Sequence, residues 1–191
     1  MKLHQLFEED KAPIKASLPS FKRGRRGMGT NMAFGRVGET FPITYAELNA
    51  VFGKAADING DKTSTEWAMQ FSNGAHATIY DYKETSVYSK GLPSPAKFRK
   101  SGPHEWGIGG DARPHTSDKN AVTLVYATIF KHWPDDKIMK LALKMLKEPE
   151  EFRSAVYPGY EKKEVQQIIT AARMAGKDNP EFAAIEKSLG K

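Results

Sequence analysis

The chain has 191 residues, of which 39% are hydrophobic and 27% are charged, and it carries a formal net charge of +6 and no cysteine. This length suits one domain with additional segments, and the lack of cysteine excludes disulfides, cysteine-ligated zinc and a thiol nucleophile. The start MKLHQLFEEDKAP lacks the apolar run of a secretion signal, and no stretch approaches about 18 consecutive apolar residues, so we expect neither secretion nor a membrane partner.

The positive charge is concentrated near the N-terminus. Residues 11–38 contain seven basic residues and no acidic one, which leaves 22 basic and 23 acidic residues elsewhere, a net charge of −1. Glycine and proline interrupt this segment, so we expect residues 1–41 to form a flexible basic arm. Charge confined in this way is typical of an element that binds nucleic acid or another polyanion, although a solvated linker has the same composition. The candidate phosphate-binding residues of the arm are Lys22, Arg23, Arg25, Arg26 and Arg36.

Residues 42–134 are predicted to form an α+β core domain that begins with a helix. Thr44 and Glu47 match a capping box, in which the threonine hydroxyl accepts from a backbone amide and the glutamate returns the bond. Gly53 supplies the stop.

The next segment, STEWAMQF-SNG-AHATIYDY, predicts a β-hairpin. A two-residue turn would place Glu66 opposite Asp81, and facing like charges are destabilising. A three-residue turn over Ser72–Gly74 places Trp67 opposite Ile79 and sorts apolar and polar side chains onto separate faces, so we predict this register. It argues against Glu66 and Asp81 as a paired-carboxylate site.

Residues 83–103 are predicted to form a long basic loop. The loop contains five basic residues and one acidic residue, with Tyr88 and Phe98 between them. A surface insertion without function would explain it, but two basic elements on a nearly neutral body favour binding. Lys97, Arg99 and Lys100 are its candidate phosphate contacts.

The stretch HEWGIGG at 104–110 predicts a third strand with its tryptophan and isoleucine on one face. His104, Asp111 and His115 are residue types that suit zinc or manganese, but their spacing matches no metal motif. We therefore predict no metal, no cofactor and no catalytic residue.

The rest of the chain predicts helices. The apolar stripe over 119–133 indicates an amphipathic helix, capped by Ser117 or Asp118, that covers the apolar face of the sheet. Further helices are expected over 135–147, 149–156, 161–175 and after Asn179-Pro180. The predicted fold is thus α+β: a small antiparallel sheet of about three strands packed with helices, between the arm and an all-helical extension at 135–191.

Three runs, TYAELNAVFG, EWAMQFSNGAHATIYDYK and EWGIGG, resemble those of small uncharacterised proteins encoded by tailed bacteriophages. Those proteins pair a helix with a hairpin ending in a similar IYDYK stretch and a tryptophan strand ending in two glycines. The resemblance spans Thr44 to about Phe130 and implies a phage origin, but it carries no activity and no functional residue.

The expected function is that of a phage-encoded, non-enzymatic protein that binds nucleic acid, or a nucleoprotein or host complex, in the host cytoplasm. One alternative is a virion structural or assembly protein, whose arm and helices would contact neighbouring subunits. Another is a metal-dependent nuclease or nucleotide hydrolase that uses His104, Asp111 and His115. Besides nucleic acid, a host or phage protein complex and a second copy of the chain are candidate partners.

Overall fold

A computed structural model describes residues 17–24, 35–58, 60–114, 117–147, 160–177 and 179–189. These residues form six strands and six helices. The strands are β1 (Phe21–Arg23), β2 (Arg36–Glu39), β3 (Ala56–Asp57), β4 (Thr65–Phe71), β5 (His76–Tyr80) and β6 (Gly107–Gly110). The helices are α1 (Tyr45–Phe52), α2 (Pro95–Phe98), α3 (Ala121–Phe130), α4 (Asp135–Lys147), α5 (Tyr160–Met174) and α6 (Pro180–Leu189).

The strands form one antiparallel sheet in the order β1-β4-β5-β6-β2, with β3 also paired to β4. The α+β class is confirmed, but the prediction of about three strands is wrong, because β1, β2 and β3 add to the predicted β4, β5 and β6. Strands β1 and β2 lie within the segment 1–41 that the sequence assigns to the basic arm. They are three and four residues long, too short to show a clear alternation of apolar and polar positions.

The hairpin has the predicted register. Trp67 pairs with Ile79 and Glu66 with Tyr80, and the side chains of β4 alternate strictly between buried and half-buried. Gly74 has a φ of 85°, the left-handed conformation that the three-residue turn requires. One face of the hairpin is therefore apolar and belongs to the core.

Helix α3 lies at the centre of the molecule. All ten of its residues are buried, because it packs against β2, β5 and β6 on one side and against α5 on the other. It can approach the sheet closely because two core-facing strand positions lack a Cβ. A Cβ on Gly38 would lie 2.7 Å from Val122, and one on Gly110 would lie 2.8 Å from Ala121. The helix covers the apolar face of the sheet, as predicted, but it is not amphipathic, since α5 buries its other face.

The helix termini follow local chemistry. The Thr44–Glu47 capping box is present, whereas the cap of α3 is Asn120 instead of the predicted Ser117 or Asp118. Its side-chain oxygen accepts from the backbone amide of Thr123 at 2.9 Å. The predicted helix at 149–156 lies outside the described residues.

The C-terminal helices share the core of the sheet. Apolar side chains of α4, α5 and α6 belong to the same buried cluster as those of the strands and α3. Arg173 of α5 also holds Glu186 of α6 through two hydrogen bonds of 2.7 and 2.8 Å. These contacts fix the helical layer on one side of the sheet.

Candidate nucleic-acid interface

The long basic loop, residues 83–103, belongs to the connection between β5 and β6 and has a defined shape. Within it, Ser94 caps the short helix α2 by accepting from the amide of Lys97. The last residue of α2, Phe98, is only 4% exposed and stacks on the ring of His104, with the centroids 4.0 Å apart. A buried aromatic side chain thus anchors the loop, which explains how a connection of this length can be ordered.

Asp81 ties the start of this connection to β4. Its carboxylate is 1% exposed and accepts from the backbone amides of Ser64 and Thr65, each at 2.8 Å, and from the Ser64 hydroxyl. A buried carboxylate needs several donors to offset its lost hydration. Asp81 therefore has a structural role, and it lies apart from Glu66 in the strand register, as predicted.

Arg99 ties the end of the basic loop to the same place. Its guanidinium donates to the Thr65 hydroxyl at 2.9 Å and the Ser64 carbonyl at 3.2 Å, and it pairs with Asp57 at 2.6 Å. It also lies over the ring of Tyr45, 5.4 Å from the centroid. The side chain is only 19% exposed, so contacts within the chain compete with any phosphate for this arginine.

The lysines of the basic loop have different surroundings. Lys90, Lys97 and Lys100 are all exposed. A lysine in contact with solvent keeps its ammonium available to an incoming anion, at little desolvation cost. Of the three predicted contacts in this loop, Lys97 and Lys100 are therefore placed where a phosphate can reach them.

The predicted contacts of the basic arm are distributed around the sheet. Lys22 is exposed on β1, beside Gln70 of β4. Arg23 donates to the carbonyl of Lys54 after α1, and Arg36 pairs with Glu39 within β2. Arg25 and Arg26 lie outside the described residues. Their neighbours Gly24 and Gly35 adjoin β1 and β2, which lie at opposite edges of the sheet.

The tip of the basic loop, which we define as Val87 and Tyr88, exposes apolar surface. Val87 is 40% exposed and Tyr88 is 46% exposed, the two highest values among the large hydrophobic side chains of the described residues. The backbone around them is nevertheless hydrogen-bonded, since the amide of Tyr88 donates to Thr85 at 2.9 Å and that of Ser86 to Pro93 at 2.8 Å. The tip is thus an apolar feature in a fixed position.

Lys83 lies beside the tip in a strained backbone conformation. With a φ of 65°, it is the one non-glycine residue of positive φ among the described residues, which costs about 1–2 kcal/mol. Its ammonium lies 4.9 Å from the ring centroid of Tyr88 and 5.2 Å from that of Tyr82. Two cation–π contacts near the surface return roughly 0.5–1 kcal/mol each, so they approximately offset the strain.

On the sheet itself, Glu66 and Tyr80 face each other across β4 and β5. Burial raises the pKa of the Glu66 carboxyl. Burial, the nearby Tyr82 and the charge of Glu66 raise the pKa of the Tyr80 phenol. Tyr80 also covers Gly107, where a Cβ would lie 3.0 Å from the tyrosine ring. The two side chains thus form a partly buried polar pair on the face of the hairpin opposite the core.

The predicted metal-ligand types do not come together in the described residues. His104 stacks on Phe98 and contacts the Ser101 hydroxyl at 3.0 Å, while Asp111 accepts from the amide of His76 at 2.9 Å. His115 lies outside the described residues. In the part of the chain that the structure describes, no three histidine, aspartate or glutamate side chains are grouped closely enough to hold a metal ion.

Comparison of the sequence with protein-family models gives no match, and a search of curated proteins finds no significantly similar chain. None of the helices in the described residues is long and apolar enough to span a membrane.

Sequence reasoning identified the basic loop but missed its internal organisation. The exposed pair Val87 and Tyr88 and the placement of Lys83 between two tyrosines were not predicted. The signal was present in the run YDYKETSVY, in which tyrosines and a lysine alternate with polar residues. Such spacing fits neither a helix nor a strand, so the contacts depend on the loop's folded shape.

Proposed function

We propose that this chain is a phage-encoded, non-enzymatic binding protein that engages nucleic acid, or a nucleoprotein or host complex, in the cytoplasm of the host. The supporting observation is that Lys90, Lys97 and Lys100 are exposed on a loop of defined shape. Phosphate neutralisation by exposed lysines releases counterions and gives affinity without sequence specificity.

Within the proposal the predicted residues have different roles. Lys22, Lys97 and Lys100 contact phosphates, together with Arg25 and Arg26 of the basic arm. Three other candidates already contact residues of this chain, so we expect them to contribute less to phosphate binding. They are Arg23, Arg36 and Arg99.

The test is binding of labelled single-stranded DNA, duplex DNA and RNA, followed by fluorescence anisotropy over a range of salt concentrations. The double variant Lys97→Gln/Lys100→Gln should lower the slope of log K against log salt by roughly 1.4–1.8. Lys187→Gln, which replaces another exposed lysine, on α6, is the charge-matched control and should leave the slope unchanged. Absence of binding to all three probes at low salt would remove the proposal.

A second candidate function is virion structure or assembly, and one observation favours it. Leu143 of α4 is 37% exposed, among exposed lysines at 140, 144 and 147, and an apolar side chain of this kind suits a contact with a neighbouring subunit. Sedimentation of the protein as a strict monomer, together with its absence from purified particles, would count against this function.

A further inference from the structure

We infer that the tip of the basic loop, Val87 and Tyr88 with the adjacent Lys83, is a stacking site for an unpaired base of a single-stranded nucleic acid. This inference rests on the proposed function and assigns it a substrate class. A nucleotide presents a flat aromatic base beside an anionic phosphate, so a matching site needs an exposed ring beside a cation.

The ring is available and its position is fixed. Tyr88 is 46% exposed, which leaves much of its surface for a base to cover. The amides of Tyr88 and Ser89 both donate to the Thr85 carbonyl, at 2.9 and 3.4 Å, and the amide of Leu92 donates to Ser89 at 3.0 Å. Thr85 itself is 1% exposed. Because the backbone is already ordered, binding pays little conformational entropy at the tip.

The cation is available as well. The Lys83 ammonium lies 4.9 Å from the Tyr88 ring centroid, and the amide of Lys83 is held by the Lys62 carbonyl at 2.8 Å. The backbone hydrogen bond fixes the position of the Lys83 main chain beside the ring. Because Lys83 lies over one face of the Tyr88 ring, a base would stack on the other face. Lys83 and the exposed Lys90, two residues beyond Tyr88, would supply positive charge for its phosphates.

The same geometry selects single strands. In a duplex the base faces are covered by their neighbours, so a protruding tyrosine can meet only the backbone or the groove edges. The net charge of the loop suits any nucleic acid, whereas the exposed ring adds affinity only where bases are unpaired. Sequence preference is not expected, because every base has an aromatic face.

The experiment compares the full chain with its Tyr88→Ala and Tyr88→Phe variants. The probes are labelled oligodeoxythymidine and oligouridine of about 15 nucleotides and a duplex of the same length, by fluorescence anisotropy at low salt. Tyr88→Ala should weaken binding to the single strands by about tenfold or more while leaving duplex binding within about twofold. Tyr88→Phe retains the ring and should bind like the unchanged chain. Circular dichroism and thermal midpoints verify that both variants are folded.

The two single-stranded probes distinguish DNA from RNA as the source of the unpaired base. Loss with both probes supports stacking on any unpaired base, and loss with one identifies DNA or RNA as the ligand. A strand carrying 5-iodouracil should also crosslink to Tyr88 on irradiation, with the adduct located by mass spectrometry.

Several results would overturn the inference. Equal loss of single-stranded and duplex binding in Tyr88→Ala would do so. Unchanged single-stranded binding in the same variant would also contradict a stacking role for Tyr88. Binding of the unchanged chain to duplex but not to single strands would also remove the stacking site, yet leave the proposed function intact. Absence of binding to every probe would remove both.

Discussion

The base of the connection between β5 and β6, which we define as Asp81 and Arg99, is largely buried, whereas its tip, Val87 and Tyr88, is exposed. At the base, Asp81 and Arg99 are enclosed by groups of β3 and β4 and exchange hydrogen bonds with Ser64 and Thr65. At the tip, Val87 and Tyr88 are 40% and 46% exposed. The contrast shows how a long connection between strands can be ordered from its base while its tip keeps exposed apolar surface. It also yields variants whose effects on stability and on binding should separate.

The largest expected effect is on the free energy of unfolding when the base is broken. Asp81→Ala leaves three donors without an acceptor in a buried place and should lower this free energy by about 3 kcal/mol, measured by urea denaturation. Glu84→Ala, an exposed acid three residues later, is the matched control and should change it by about 0.5 kcal/mol or less. Equal effects would mean that the base does not organise the loop.

The next comparison concerns two adjacent cations with opposite expected roles. Arg99→Gln removes hydrogen bonds to Thr65 and Ser64 and should cost about 2 kcal/mol of stability. Lys100→Gln should cost about 0.5 kcal/mol or less. In nucleic-acid binding the order reverses, since Lys100→Gln should lower the salt slope by roughly 0.7–0.9 and Arg99→Gln should not. A lowered slope for folded Arg99→Gln would show that this arginine contacts phosphate after all.

A smaller effect on the free energy of unfolding should come from the strained backbone of Lys83, beside the tip. Lys83→Ala and Lys83→Gly both remove the ammonium from the two tyrosine rings, but only glycine adopts a positive φ without strain. The glycine variant should therefore be more stable than the alanine variant by about 1 kcal/mol, measured by thermal or urea unfolding. Equal stability would show that the loop relaxes when the lysine is replaced.

The smallest effect should depend on pH. Burial raises the pKa of Glu66 above its ordinary value of 4.5, so this carboxyl ionises at a lower pH in the unfolded chain than in the folded chain. Stability contributed by neutral Glu66 is thus present below that ordinary value and is lost as the pH rises through the raised pKa. Relative to the unchanged chain, Glu66→Gln should gain stability between pH 4 and pH 7. A constant difference across this range would contradict the assignment.

The hairpin could be predicted from sequence because its information is local. The alternation in STEWAMQF and AHATIYDY and the turn residues around Gly74 point to the same register, and the structure has that register. The Thr44–Glu47 capping box is equally local and equally correct. Where neighbouring residues carry the whole signal, sequence reasoning is sufficient.

The missed features depend on residues far apart in the chain. Strands β1 and β2 become recognisable only beside β4 and β6, and the partners of Arg99 lie at least 34 residues away. Helix α3 was interpreted as amphipathic because α5, which buries its other face, cannot be placed from local periodicity. The same limitation applies to Lys83, whose two ring contacts follow from a loop shape that no period encodes.

The strand order has a consequence for making shorter forms of the protein. Cleavage before Pro42 would remove both β1 and β2, which pair with β4 and β6. The remaining meander would then present unpaired backbone amides and carbonyls of β6 and of the C-terminal half of β4, and such strands template the addition of further chains. A truncated form beginning at Pro42 should therefore aggregate during expression, although it keeps the hairpin and most of the apolar core.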